Sequence, residues 1–292
     1  MVIAATGFFD GVHLGHRAVL TSLADTARKM GGKSLALTFW PHPRAVLQQD
    51  AQKFRLLTSL DEKKKMMYDL GVDEIQIIPF TREFSMVSSR DFFREYLDRK
   101  YNVKVLVAGY NHRLGCNGAY DPQLMDREAE MAGLTIIRVP EYVSDAGEHI
   151  SSTKIRAALT AGSMETANRW LGYPYSLHGV VVLGNRMGRT LGFPTANMQL
   201  YEPLKQLPAD GVYKVEAEVN GRWYRGMMNI GVRPTIANNL ERIIETHIFD
   251  FEDNIYGLDI RVRILKFHRQ EIAFPSLDSL KEQLNKDKEA LL

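Results

Sequence analysis

Two stretches of this 292-residue chain combine residue types and spacings that suit phosphate chemistry. In the first, Gly184 to Asn197 (GNRMGRTLGFPTAN), Gly184, Gly188 and Gly192 let the backbone approach an anion with no Cβ in the way. Arg189 adds a fixed charge. Pro194 restricts the local backbone, while Thr195 and Asn197, two residues apart, can present side-chain oxygens to one hard cation such as Mg²⁺. The plainer reading of this run is a glycine-rich turn leading into a strand. The second stretch, Gly7-Phe-Phe-Asp-Gly-Val-His-Leu-Gly-His16, lies between a predicted first strand and first helix, where open α/β sheets bind ligands. A helix beginning near His16 aims backbone N–H groups and the positive end of its dipole at the loop, which favours a nucleotide phosphate. Gly15 keeps the backbone clear, so that His13 and His16 can donate to a transferring α-phosphate. A zinc site is the rival reading, without cysteine or carboxylate ligands nearby, and two structural histidines the plainest.

The elements that must position these residues differ between the halves. The first half alternates β-like apolar runs with amphipathic helical ones: strands at Val2–Thr6, Ser34–Phe39, Glu74–Ile78, Val103–Ala108 and Leu134–Val139, helices at Arg17–Met30, Leu60–Leu70, Asp91–Lys100 and Gln123–Ala132. Strands as apolar as Val103–Ala108 require cover on both faces, as in a parallel sheet flanked by helices. Ser151 to Leu171 reads as two short helices leading out of this domain. Beyond Pro174, strand-like runs at His178–Leu183, Val212–Val219, Trp223–Ile230, Ile243–Phe249 and Ile260–Phe267 follow without intervening helices. Asn220-Gly221 is a two-residue hairpin signal. Five or six such strands imply a small closed or nearly closed barrel, and Leu277, Leu280 and Leu284 suggest a final helix lying on it. Gly31-Gly-Lys-Ser34 has the look of a phosphate loop, but it follows a helix and precedes a strand, the reverse of the order needed, and reads better as a helix-terminating turn.

Composition sets outer limits. The length favours two domains, and 45% hydrophobic with 25% charged residues is ordinary for a globular protein. Thirty-seven basic residues against 35 acidic give a net charge of +2, which makes no general electrostatic case for nucleic acid or an anionic membrane. Cys116 is the only cysteine, so internal disulfides and multi-cysteine metal sites are excluded and a cytoplasmic location is expected. No apolar run is long enough to span a bilayer.

The stretch from Gly184 to Asn197 resembles the signature of the riboflavin kinase family, in which the Pro-Thr-Ala-Asn segment holds the metal and the glycine-rich loop covers ATP. Asn229–Thr235, Glu245–Phe251 and Tyr256-Gly257 resemble further blocks in that family's order. The first half is similar to the HxGH nucleotidyltransferase superfamily, and its Gly7–His16 form resembles the FMN adenylyltransferase domain of bifunctional FAD synthetases. Thr38–Pro43, Ala108–Gly115 and Ile150–Arg156 keep that family's order, though Leu114 and His112 stand where it usually or often has Phe. The resemblance implies a Rossmann-like nucleotidyltransferase domain with a parallel sheet over residues 1–172, then a small antiparallel β-barrel riboflavin kinase domain with a C-terminal helix over 173–292. It implies ATP, Mg²⁺, riboflavin, FMN and FAD as the molecules handled, with no nucleic acid or membrane partner and an oligomer permitted but not required.

By the same resemblance, His13 and His16 stabilise charge on the α-phosphate within a loop that includes Gly7, Asp10 and Gly15, and Asn111 lies near the nucleotide. Ser152, Thr153 and Arg156 hold the leaving pyrophosphate; read alone, Ser151–Thr153 is a simple helix cap with Arg156 one turn inside. Gly184, Gly188, Arg189 and Gly192 belong to the second nucleotide loop, and Thr195 and Asn197 to the metal. Phosphorylation of a hydroxyl needs a group to accept its proton, and Glu245 matches the family's catalytic glutamate; strand alternation puts it on one face with His247. The alternatives are a kinase whose N-terminal domain is weak or takes another acceptor, and a flavin-binding regulatory protein.

Overall fold

The structure is a computed structural model that describes residues 1–47, 54–110, 112, 115, 121–144, 147–184, 187–234 and 240–292. The chain divides into two compact units, Met1–Ser152 and Thr153–Leu292.

The first unit is built on a five-stranded parallel sheet of order β3-β2-β1-β4-β5, from β1 (Val2–Thr6), β2 (Lys33–Trp40), β3 (Glu74–Pro79), β4 (Val103–Gly109) and β5 (Thr135–Val139). Alternation along β1 feeds two cores. Ala4 belongs with Leu37, Phe39, Phe93 and Leu106 on one side of the sheet, while Ile3 and Ala5 pack with Leu20, Leu23 and Met67 on the other. Leu20 and Leu23 come from helix α1 (Leu14–Lys29) and Met67 from α3 (Leu60–Asp69), with the short α2 (Pro43–Leu47) between them. The helical segment 89–100 (α4) and α5 (Pro122–Met131) supply Phe93, Leu97 and Met125 to the first core. Because β1 pairs with β2 on one side and β4 on the other, the loop after β1 opens at the point where the strand order reverses, the place for a ligand in this topology. Helix α1 starts at Leu14 rather than at the expected Arg17. The imidazole of His13 accepts the amide of His16 and caps the helix, which draws Gly15 and His16 into its first turn.

The second unit begins with α6 (Ser152–Thr160, of which Ser152 belongs to the first unit) and α7 (Met164–Leu171). Asn168 on α7 donates to Ile264 O and accepts the amide of Tyr175, fixing this helix to the strands that follow. Six strands close an antiparallel barrel of order β10-β7-β6-β11-β8-β9: β6 (Tyr175–Val182), β7 (Ala196–Leu200), β8 (Gly211–Val219), β9 (Arg222–Pro234), β10 (Leu240–Ile248) and β11 (Asp259–Arg269). Asn220 and Gly221 both take positive φ, 51° and 76°, as a primed two-residue hairpin between β8 and β9 requires. The one-turn helix α8 (Met187–Thr190) precedes β7. The final helix α9 (Leu277–Leu291) packs Leu280, Leu284 and Leu291 against Leu191, Phe193, Met227 and Phe249. Leu277, expected on the same face, is 57% exposed, because it is the first residue after the Ser276 cap and projects beyond the barrel contact.

Asp287 ties α9 to the barrel. Its carboxylate is fully buried and accepts from Arg269 at 2.6 Å, Gln283 at 2.8 Å and His268 at 3.2 Å. Burial alone would raise its pKa, but the bonds from Arg269 and Gln283 hold it below the ordinary carboxylate range. A depressed folded-state value means that the stabilisation is complete above the unfolded pKa of about 3.9 and is lost as pH falls through the folded value. Asp287→Ala strands a half-buried guanidinium, so we expect a loss of about 3–5 kcal/mol at pH 7 by urea unfolding, shrinking in acid. Equal stability of the two proteins at pH 7 would show that the pair adds nothing.

Candidate active sites

The loop after β1 is tightly specified. Phe9, Gly11 and Val12 all have positive φ, 49°, 83° and 34°, and the value at β-branched Val12 is a strained one of the sort held at functional sites. A Cβ at Gly7 would come within 2.9 Å of the Phe9 ring. The Asp10 carboxylate, 4% exposed, points into the protein and accepts the amides of Leu57 at 3.0 Å and Thr58 at 3.2 Å, so it scaffolds the loop. Gly11 N donates to Thr58 Oγ1, and Ser152 Oγ donates to Asp10 O at 2.9 Å, bringing the start of α6 to the same loop.

The imidazoles of His13 and His16 stack, with centroids 3.7 Å apart and planes 19° from parallel. Gly15 matters to this pair directly, since a Cβ there would press on the His13 ring at 3.3 Å. Burial, then the neighbouring His13 and then Lys63, hold His16 well below its usual pKa, so it is neutral at pH 7. Its Nδ1 is buried and has no hydrogen-bond partner among the described residues. Two rings, one of them with an unused polar atom, thus stand at the N-terminus of a sixteen-residue helix. Thr153 and Arg156 follow Ser152 on α6, with Arg156 one turn further along. Asn111 and Leu114 lie outside the described residues. His112 is turned to Thr6, Nε2 to Oγ1 at 2.7 Å, and burial, helped by Arg138, pushes its pKa down to about 4.

In the second unit, a cleft of about 460 Å³ is lined by Gly184, Arg189, Thr195 and Asn197, together with Thr246 and the segment 251–256. The expected metal pair therefore shares one cleft with the expected loop charge. Two of the glycines serve these neighbours more than a ligand: a Cβ on Gly184 would overlap the Asn197 amide, and one on Gly188 would overlap Phe193 O, which lies in the tight turn closed by Phe193 N to Gly188 O at 2.8 Å. Gly192, with φ 83°, ends that turn. Glu245 does not line the cleft. In register it stands opposite Asn197 on β7 and Asn229 on β9, so its side chain shares their face of the barrel wall. His247, two residues on, is 7% exposed, shares a hydrogen bond with Pro194 O at 2.8 Å and packs edge-on against Phe193. It holds the chain at Phe193 and Pro194, just before Thr195. Thr246 and the acidic pair Glu252 and Asp253 border the cleft without having been expected; Thr246 Oγ1 is buried without a partner among the described residues. The only sequence signal for Thr246 was its place beside Glu245.

Thr195 and Asn197 supply neutral oxygens suited to a hard cation that keeps waters and phosphate oxygens as its other ligands, which is the habit of Mg²⁺. No group of three or more His, Cys, Asp or Glu side chains able to hold a metal occurs among the described residues. No described helix is long and apolar enough to cross a membrane.

Comparison with known proteins matches each half to a family. The FAD synthetase model matches residues 1–154 and the riboflavin kinase model residues 171–292. Proteins named bifunctional riboflavin kinase/FMN adenylyltransferase align along nearly the whole chain: that of Listeria monocytogenes is 38% identical and that of Bacillus subtilis 37%, each over 98% of this chain and 90% of the relative. A crystal structure described as a macrolide-efflux protein from Streptococcus pneumoniae is 32% identical, covers 99% of this chain and 93% of its own, and superposes with a TM-score of 0.89. With both halves matched in order and relatives aligned end to end, this chain belongs to the bifunctional riboflavin kinase/FMN adenylyltransferase family.

Proposed function

We infer that the chain makes FAD from riboflavin in two steps: it transfers the γ-phosphoryl group of ATP to the ribityl hydroxyl of riboflavin, giving FMN and ADP, and transfers AMP from a second ATP to FMN, giving FAD and pyrophosphate. The observation that carries this reading is the match of the two family models to the two halves, each containing one of the phosphate-suited sites. We keep the division between the two activities at 172/173, and assign both reactions to the cytoplasm.

For the kinase, Thr195 and Asn197 would hold Mg²⁺, which when bound neutralises phosphate charge. Arg189, with the Gly184–Gly192 loop, would hold the nucleotide, and Glu245 would accept the ribityl proton. Its register opposite Asn197 supports that role, because it puts Glu245 on the same face of the barrel wall as one of the residues assigned to the metal. His247 would fix the Pro194–Asn197 segment. For the adenylyltransferase, His13 and His16 would donate to the α-phosphate as charge develops. Ser152, Thr153 and Arg156 would hold the leaving pyrophosphate, Asn111 would contact the nucleotide, and Gly7, Asp10 and Gly15 shape the loop. Neither displacement needs a covalent enzyme intermediate; orientation and fixed dipoles suffice.

Product analysis with riboflavin and ATP tests the whole reading. FAD is expected. FMN alone would mean a kinase whose N-terminal domain is weak or takes another acceptor, and no turnover would mean a flavin-binding regulatory protein.

A further inference from the structure

Lys63 is a buried cation that none of these roles uses. It lies on α3 and is 4% exposed. Its Nζ donates to Phe8 O and to Thr38 Oγ1, each at 3.0 Å, and sits 5.8 Å from the centre of the Trp40 ring. Thr38 Oγ1 in turn donates to Phe8 O at 3.4 Å. The carbonyl so held belongs to the residue just before Phe9, where the strained part of the Gly7–His16 loop begins. Two groups of that loop and helix face the ammonium electrostatically: Asp10, which favours its charge, and His16, whose protonation it opposes. Among the described residues of β2 it meets the neutral Thr38 and Trp40. Burial pushes the ammonium down to about 8 even with Asp10 nearby. Stability alone does not favour such a group, since an apolar side chain of similar length avoids the desolvation cost.

We propose that Lys63 is a positioning residue for adenylyl transfer: it fixes the Phe8 carbonyl, and through it the Gly7–His16 loop, and holds a positive charge within electrostatic reach of His16, one of the two imidazoles assigned to the α-phosphate. This rests on reading the first unit as an FMN adenylyltransferase. Charge fixed in advance acts on the transition state without reorganisation, so its loss falls on turnover more than on substrate binding.

The test compares the full-length protein with Lys63→Met and Lys63→Arg. Lys63→Met is expected to lower kcat for FAD formation from FMN by about ten- to a hundredfold, with KM for ATP and FMN within about threefold and riboflavin phosphorylation at the wild-type rate. In the wild type, kcat for FAD formation declines as pH rises through about 8 and the ammonium loses its proton, a limb that Lys63→Met lacks. Lys63→Arg stays charged, so it recovers part of the rate and moves the decline to higher pH. Wild-type turnover in Lys63→Met overturns the proposal, and so does a slowed Lys63→Met that keeps the wild-type pH profile. If Lys63→Met loses both activities through misfolding, an unmoved alkaline limb in Lys63→Arg overturns it. Failure of the wild type itself to make FAD would overturn instead the adenylyltransferase reading beneath it.

Discussion

Replacing His16 by alanine is expected to cut conversion of FMN to FAD by about a hundredfold or more while riboflavin phosphorylation stays within about twofold of wild type, because removing one donor to developing charge typically costs that much. His16 is a cleaner probe than His13. The His13 ring caps α1 by accepting the amide of His16, so His13→Ala also removes about 1 kcal/mol of helix stability and confuses chemistry with folding. His16 has a buried Nδ1 that no described residue engages, and it is kept neutral by its surroundings. Losing that ring removes a group whose Nδ1 is not used in holding the described part of the fold. The sparing of the kinase follows from the division of the chain into two compact units, with His16 in one and the Thr195–Asn197 cleft in the other. Separate assays with FMN and with riboflavin as substrate check it. A folded variant that loses both activities would overturn the two-site reading, and one that keeps FAD formation would make the histidine pair structural.

Much of this architecture is legible in the sequence because it rests on local signals. Apolar runs separated by amphipathic ones announce the parallel sheet, and Asn220-Gly221 dictates its hairpin through two positive φ angles that few other residue pairs tolerate. What is not legible depends on contacts far apart in the chain. The start of α1 shifts because a histidine side chain takes the capping role usually filled by Ser, Thr, Asp or Asn, a substitution that propensity does not foresee. The strand expected after the glycine-rich turn is β7, but its partners, β6 on one side and β10 on the other, are not written in that run. Gly184 and Gly188 read as room for an anion, whereas the space beside them is already taken by Asn197 and Phe193 O. Asp10 reads as a nucleotide contact, yet its carboxylate turns inward to amides 47 and 48 residues away. Lys63, in a run of three lysines, looks like one more solvated charge. Only the closing of α3 over the loop after β1 reveals it as buried.

The residue on which the kinase reading depends most is Asn197. Its amide lies against the backbone at Gly184, where a Cβ would overlap it, and its strand partner in one direction is Glu245 and in the other Val182. It therefore lines the same cleft as Thr195 and Arg189 and is also the strand neighbour of the glutamate assigned to the substrate hydroxyl. If Thr195 and Asn197 both ligate the cation, Asn197→Ala leaves it one oxygen short beside the phosphates it must neutralise, and transfer suffers more than flavin binding. FMN formation should fall by about a hundredfold or more, and raising Mg²⁺ should recover part of the loss. FMN supplied directly should still become FAD at the wild-type rate. Riboflavin affinity without nucleotide, read from quenching of flavin fluorescence, should change little, which separates a missing ligand from a collapsed barrel. A variant that phosphorylates riboflavin at nearly the wild-type rate across a Mg²⁺ titration would make Asn197 a filler for the gap at Gly184, and would turn the search for the cation's ligands to Thr195 and the acidic pair Glu252 and Asp253, which line the same cleft.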